Sequence, residues 1–269
     1  MSARFSLDGQ VAVVTGACGK LGPVWIEALY EAGARVAALD LPVAQPSPAY
    51  AAMTARAGDR VQRFDCDVTS RASIEAALDA VVSRLGEPSV LVNNAGVDQP
   101  PDSPGGRHHL ADLPIDEFRR MVDVNLLGTF QVAQVFGGRM AAHAGGSVIN
   151  IGSLYASVSP DAHFYDHIAG NAPFLKSPAY GASKAAVVNL SKFLATHWAA
   201  HGVRVNTLSP GGVRAAQDDQ FTAKYTARVP LRRMADAGDL KGPLVFLASP
   251  ASSYVTGHEL RVDGGFTAW

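Results

Sequence analysis

The sequence is short of the features that mark several protein classes. It holds two cysteines in 269 residues, Cys18 and Cys66, far apart and without the spacing of a metal site. That pattern suits a reducing compartment better than a disulfide framework. The formal net charge is −1, so no basic surplus points to DNA, RNA or an anionic membrane. No apolar run approaches the roughly 20 residues that span a bilayer. The opening stretch, MSARFSLDGQ, lacks the apolar core of a signal peptide. Repeats, long linkers and low-complexity tracts are missing as well. The expectation is a cytoplasmic globular protein that partners neither nucleic acid nor membrane.

What is present is apolar and periodic. Hydrophobic residues make up 48% of the chain, enough to bury a large core. Seven short β-branched runs read as strands, at 11–15, 35–39, 60–64, 89–93, 147–151, 204–208 and 259–263. They are nearly continuous in apolar character, as strands covered on both faces must be. Ala- and Leu-rich stretches such as 23–33 and 73–86 lie between them, each ending at a glycine that stops a helix. The alternation predicts an α/β fold with one mainly parallel sheet and helices on both faces. The Pro-rich stretches at 43–51 and 98–106 read as surface loops.

The first strand runs straight into TGACGKLG, and a helix follows. Gly16, Gly19 and Gly22 allow a tight turn that brings backbone N–H groups and a helix N-terminus toward a pyrophosphate. Asp40 closes the second strand, 18 residues beyond Gly22. A carboxylate there accepts hydrogen bonds from adenosine ribose hydroxyls and repels a 2′-phosphate, so NAD is favoured over NADP. Lys20 in the loop is the counter-argument that keeps NADP open. A bare strand-to-helix turn explains the glycines alone, but not the glycines together with Asp40.

From here the chain resembles the short-chain dehydrogenase/reductase family over nearly its whole length. DCDVT (65–69), NNAG (93–96), VNLLGTF (124–130), Ser153, YGASK (180–184), SPGG (209–212) and VDGG (262–265) follow in the family's order. The resemblance implies a Rossmann-type doubly wound, seven-stranded sheet in a single dinucleotide-binding and catalytic domain over residues 1–269. It implies catalytic roles for Asn125, Ser153, Tyr180 and Lys184. It places the cofactor against Gly16, Gly19, Lys20, Leu21, Gly22, Asp40, Leu41, Asp67, Val68, Asn94, Ala95, Gly96, Tyr180, Lys184, Pro210, Gly211 and Val213. Two departures stand out. The T-G-x-x-G-x-x-G spacing is similar to the family's larger, sugar-nucleotide-modifying branch, whereas the later motifs fit its compact branch. Ala215 also stands where the family often has a Thr reaching the nicotinamide half.

The chemistry is coherent. Tyr180 and Lys184 are one helical turn apart and can share a face. Making a Tyr a base near neutrality requires lowering its pKa by about three units, or roughly 4 kcal/mol. An ammonium about 4 Å away at an effective dielectric near 20 supplies that much. Ser153 would hold the substrate oxygen, and by the resemblance Asn125 would anchor a water through which Lys184 exchanges protons.

Ser153 and Tyr180 are 27 residues apart, against about a dozen in the family, so an insertion lies near 155–177. His163, Asp166 and His167 raise the question of a metal, but flanking Pro160, Gly170 and Pro173 and the lack of a cysteine argue against one. Tyr155, Phe164, Tyr165, Ile168, Phe174 and Leu175 are too many large apolar groups for a disordered loop. The segment reads as a structured flap, set either against substrate or purely as structure, in a subunit interface for example. Candidate substrate contacts are Ser153, Tyr155, His163, Tyr180 and Arg214, the last beside a lid near 214–230. The mixture of rings and hydrogen-bonding groups suits a sugar, polyol or sugar acid. The functional expectation is an NAD(H)-dependent secondary-alcohol dehydrogenase. An NADPH-dependent 3-oxoacyl thioester reductase is the alternative, and a non-catalytic nucleotide-binding protein stands third. Apolar faces near 117–143 and 178–200 suggest a homodimer or homotetramer.

Overall fold

A computed structural model describes residues 3–99, 109–168 and 174–269. Most of the Pro-rich stretch at 98–106, together with Gly170 and Pro173, lies outside the described residues. The strands are β1 (Val11–Thr15), β2 (Arg35–Asp40), β3 (Val61–Asp65), β4 (Val90–Asn93), β5 (Gly146–Ile151), β6 (Val203–Pro210) and β7 (Glu259–Val262). They form one sheet in the order β3-β2-β1-β4-β5-β6-β7. Every neighbouring pair is parallel, β6–β7 included. The expected sheet was mainly parallel; the observed one is wholly so.

The helices start and stop for local reasons. In α1 (Gly22–Glu31) Pro23 occupies the first turn, where its missing N–H costs nothing. Beyond it Gly33 turns the chain at φ +110°, with Asp8 packed where a side chain would otherwise stand. Ser47 caps α2 (Pro48–Ala57), and Ser70 caps α3 (Arg71–Leu85), which ends at Gly86 with φ +97°. Next comes an unbroken helical run through α4 (Ile115–Val122), α5 (Thr129–Val132) and α6 (Gly138–Ala142), joined by π-helical turns at Asp123–Gly128 and Ala133–Gly137. Finally α7 (Pro178–Trp198), α8 (Asp219–Arg228) and α9 (Ala237–Ala248) complete the set, α9 with a capping box between Asp236 and Asp239.

The central strands are buried at every position, because α1 and α9 cover one face while α3, the 115–142 run and α7 cover the other. Trp25, Ile26, Leu29, Leu240 and Leu244 fill the first core. Ile74, Phe136, Met140, Leu194 and Trp198 fill the second. Gly137 is required there: a Cβ would sit 2.7 Å from the Trp198 ring. A third, smaller cluster lies away from the sheet and gathers Leu154, Phe164, Tyr165, Phe174, Tyr225, Val229, Met234 and Phe266. The strand order reverses between β1 and β4, and in such a sheet ligands gather at the carboxyl ends of the strands beside that reversal.

Candidate active site

The glycine loop leaves β1 at its carboxyl end. Gly16 has φ +65°, and a Cβ on it would lie 2.8 Å from Ala95 Cα. At Gly22 a Cβ would lie 2.3 Å from Ala17 O, so only glycine lets α1 begin this close to the strand. Helix α1 has no side-chain cap at Leu21, which leaves its positive end for an anion. Gly19 and Lys20 are exposed on the turn. Asp40 Oδ2 accepts from Cys18 N at 2.7 Å and Oδ1 from Leu41 N at 2.8 Å. Each oxygen keeps a further lone pair for a ribose hydroxyl. The Arg63 guanidinium, from the neighbouring strand, is bound to the carbonyls of Leu41 and Ala44. A backbone-lined turn, an uncapped helix end and a carboxylate form a cradle that fits a dinucleotide.

The next wall follows β4. Asn94 Nδ2 donates to the carbonyls of Thr15 and Gly16, its Oδ1 accepts from Trp25 Nε1, and Thr15 Oγ1 accepts from the N–H groups of Asn94 and Ala95. This stitches Asn94, Ala95 and Gly96 to β1. Asn125, fully buried in the first π-helical turn, exchanges two hydrogen bonds with the Val97 backbone and donates a third to Ser183 Oγ. Asp67 caps its own turn through Thr69, and Val68 packs against Gly128. Across the cleft β6 extends two residues past its expected end, to Pro210. Gly211 N then donates to Val262 O, and Val213 bridges to Ala235.

Between these walls sit Ser153, Tyr180 and Lys184. Ser153 follows β5; its hydroxyl accepts from Tyr155 N at 3.2 Å and lies near enough to the Tyr180 phenol to favour the phenolate. Lys184 is buried and donates to Ile151 O at 2.7 Å; its Nζ lies 5.9 Å from the centroid of the Tyr180 ring. A Cβ on Gly96 would stand 3.7 Å from that Nζ, so the exposed Gly96 leaves open the space that the lysine faces. Desolvation governs both titrations. It raises the Tyr180 phenol above its ordinary range, with Asp98 adding to the rise and the Ser153 hydroxyl opposing it. It lowers the Lys184 ammonium to about 8, with Asp98 pulling the other way. Against the phenol's ordinary pKa, the sequence offers the attraction of the lysine, with the positive ring of a bound nicotinamide pushing the same way. The structure adds burial, which penalises either charge, and in the protein by itself burial prevails.

The insertion and α8 form one unit. Phe164 meets Phe221, Tyr225 and Phe266 edge-on at 6.0, 5.6 and 6.3 Å between centroids, and Tyr165 packs on Phe174 and Phe221. Ion pairs run along the rim, Asp166 with Lys224 and Asp161 with Arg228 at 3.1 Å, and the His167 ring lies 2.9 Å from Asp218. The Tyr225 hydroxyl accepts from Gly212 N, tying α8 to the chain just after β6. Tyr155 stands edge-on to Tyr180 at 6.5 Å. His163 is mostly exposed and paired with Asp166 at 2.6 Å, and Arg214 is mostly exposed with Asp236 at 3.7 Å. No contact ties either one to Ser153, Tyr180 or Lys184 among the described residues. Those same residues bring no three His, Cys, Asp or Glu side chains together as metal ligands.

Sequence reasoning missed Asp98 and Lys176. Lys176 ends the insertion with its side chain only 9% exposed, bonded to Asp98 Oδ2 at 2.6 Å and 5.2 Å from the centroid of the Tyr180 ring. The available signal was position: Asp98 is two residues past NNAG, and Lys176 is four before Tyr180.

A profile of the family described as enoyl-(acyl carrier protein) reductase matches residues 21–267. The D-threitol dehydrogenase of Mycolicibacterium smegmatis is 37% identical over 98% of this chain and 95% of its own. The chain belongs to the short-chain dehydrogenase/reductase family. Within that family it is also similar to the galactitol 2-dehydrogenase of Rhizobium johnstonii, at 34% identity over 99% of this chain and 98% of that one. The crystal structure of a gluconate 5-dehydrogenase from Burkholderia cenocepacia, in complex with NADP and tartrate, superposes with a TM-score of 0.83 at 31% identity, covering 99% of this chain and 98% of the other. Among the described residues of this short-chain dehydrogenase/reductase no helix is long and apolar enough to cross a membrane.

Proposed function

We propose that the chain is an NAD(H)-dependent dehydrogenase interconverting a secondary alcohol and a ketone on a sugar, polyol or sugar acid. The observation that carries this reading is the Ser153 hydroxyl placed beside the Tyr180 phenol with buried Lys184 behind it, facing a cradle that fits a dinucleotide. When bound, the nicotinamide supplies or accepts the hydride. Tyr180 gives the proton to the carbonyl oxygen in reduction and takes it back in oxidation. Ser153 donates to the same oxygen and holds it against Tyr180. Lys184 keeps a cation close to the phenol, and Asn125 fixes the wall that Lys184 faces and anchors its proton exchange. Tyr155 shapes the wall beside the reacting carbon.

Asp40 favours NAD, since a 2′-phosphate would meet its charge while Arg63 is engaged with carbonyls. The similarity to D-threitol and galactitol dehydrogenases supports a carbohydrate-like substrate. The acyl-carrier family profile keeps 3-oxoacyl thioesters as the second reading. Exposed Leu127 and Phe193, on the 115–142 run and α7, support a homodimer or homotetramer, and the free thiols of Cys18 and Cys66 support a cytoplasmic setting. The test is nicotinamide reduction with NAD⁺ and NADP⁺ in parallel, against polyols, sugars, sugar acids and 3-hydroxyacyl thioesters. Turnover of a carbohydrate with NAD⁺ is expected. Turnover of thioesters alone with NADP⁺ would overturn the reading.

A further inference from the structure

The pairing of Lys176 with Asp98 bears directly on what can stand beside Tyr180. Lys176 Nζ also lies 3.4 Å from Gln99 O, so the ammonium is held between the end of the insertion and the loop after NNAG. Asp98 keeps its side chain 43% exposed, with Oδ1 accepting from Gln99 N at 2.8 Å and Oδ2 from Lys176. Each oxygen retains a lone pair. The pair therefore presents a donor and an acceptor side by side, with no net charge.

We infer that Lys176 and Asp98 select a neutral vicinal diol over a sugar acid by gripping the hydroxyl next to the reacting carbinol. This rests on the dehydrogenase reading above and narrows its substrate class. A hydroxyl can accept from the ammonium and donate to the carboxylate at once, whereas a carboxylate can only accept. A substrate carboxylate at this position could take the ammonium's hydrogen bond but has no proton to offer Asp98, whose like charge offsets the attraction of Lys176, so the site discriminates by hydrogen-bond fit. Among the described residues, Lys184 donates to Ile151 O behind Tyr180, and Arg214 is paired with Asp236 out on the exposed rim. The insertion thus meets substrate through its last buried lysine rather than through His163.

The test compares kcat/KM for threitol and galactitol with that for gluconate in the wild type, Asp98→Asn and Lys176→Met. The wild type should favour the neutral polyols by about tenfold or more. Asp98→Asn should move the acid-to-polyol ratio toward the acid by about tenfold, because Lys176 is then free to pair with a carboxylate. Lys176→Met should lower polyol kcat/KM by about tenfold while dinucleotide affinity stays within about twofold. A second readout separates recognition from mere support. Asp98 raises the titrations of both Tyr180 and Lys184, so Asp98→Asn should move the acid-side inflection of the polyol profile to lower pH. A wild type that prefers gluconate, or a ratio and inflection unmoved by Asp98→Asn, would overturn the inference while leaving the dehydrogenase reading intact. Absence of turnover on every carbinol with either nucleotide would instead bring down that reading, and this one with it.

Discussion

The two sides of the cleft are built from different materials. The nucleotide side is made of backbone: Gly16, Gly22 and Gly96 clear space, N–H groups line it, and Asn94 and Thr15 stitch main chain to main chain. The proposed substrate side is made of side chains, with a cluster of rings, an ion-paired rim and the Lys176–Asp98 couple. A backbone site tolerates little variation because its shape depends on missing atoms. A side-chain site can be rebuilt by exchanging residues on a fixed frame.

The sharpest break lies where the two sides meet. Tyr180→Phe should lower kcat by about 10³-fold, within the range of lost acid–base catalysis, while dinucleotide affinity changes little. Steady-state kinetics beside a fluorescence titration would separate the two effects; a kcat within threefold of wild type would remove Tyr180 from its role. Next, Phe164→Ala should cost about 3 kcal/mol or more of local packing, since Phe164 is 1% exposed among three rings. Limited proteolysis should then cut the insertion faster and KM should rise, with the nucleotide side unchanged. On the other side, Asp40→Asn should shift the NAD⁺-to-NADP⁺ preference by about tenfold toward NADP⁺, read as the ratio of kcat/KM values.

The pH dependence joins both sides. Tyr180 titrates above its ordinary range and Lys184 near 8, so at neutral pH the phenol is protonated and the lysine charged. Oxidation needs the phenol deprotonated and should accelerate as pH rises from neutrality, whereas reduction uses the protonated phenol and should not. For stability Lys184 contributes with one sign, since its folded value lies below its unfolded 10.5, while Cys66, pushed by burial from 9.0 to about 12, works against it above about pH 9. At Lys184 the unfolded chain binds more protons between about 8 and 10.5, so this residue adds stability as pH rises through that window. Lys184→Met should flatten that rise in a denaturation series. The smallest effect concerns the rim. Asp161→Asn keeps the cap on His163 N but loses the partly exposed pair with Arg228, and should change stability by less than about 1 kcal/mol.

The same contrast explains what the sequence made legible. The central strands stood out because burial on both faces leaves nearly unbroken β-branched runs, whereas the edge strands β3 and β7, only partly buried, showed through short Val-containing runs in the same alternation. The glycine loop stood out because its geometry excludes side chains. The partners of the insertion were not visible. Phe164 meets residues 57 to 102 positions further along, at Phe221, Tyr225 and Phe266, and no periodicity encodes such pairings. Asp98 and Lys176 were hidden in the same way, because a salt bridge between two loops leaves no spacing rule. The burial of Tyr180 was hidden for a different reason: helical spacing gives its distance from Lys184 but not how much water the fold removes.

The aromatic cluster has a consequence for anyone who would exchange specificities within the family. Phe164 belongs to the insertion, Tyr225 to α8 and Phe266 to the last residues of the chain, where Trp269 Nε1 also donates to Arg228 O. These three stretches are distant in sequence yet interlock as a single cassette. A chimera that transplants the insertion alone would carry half a lock, so a working graft has to move all three together.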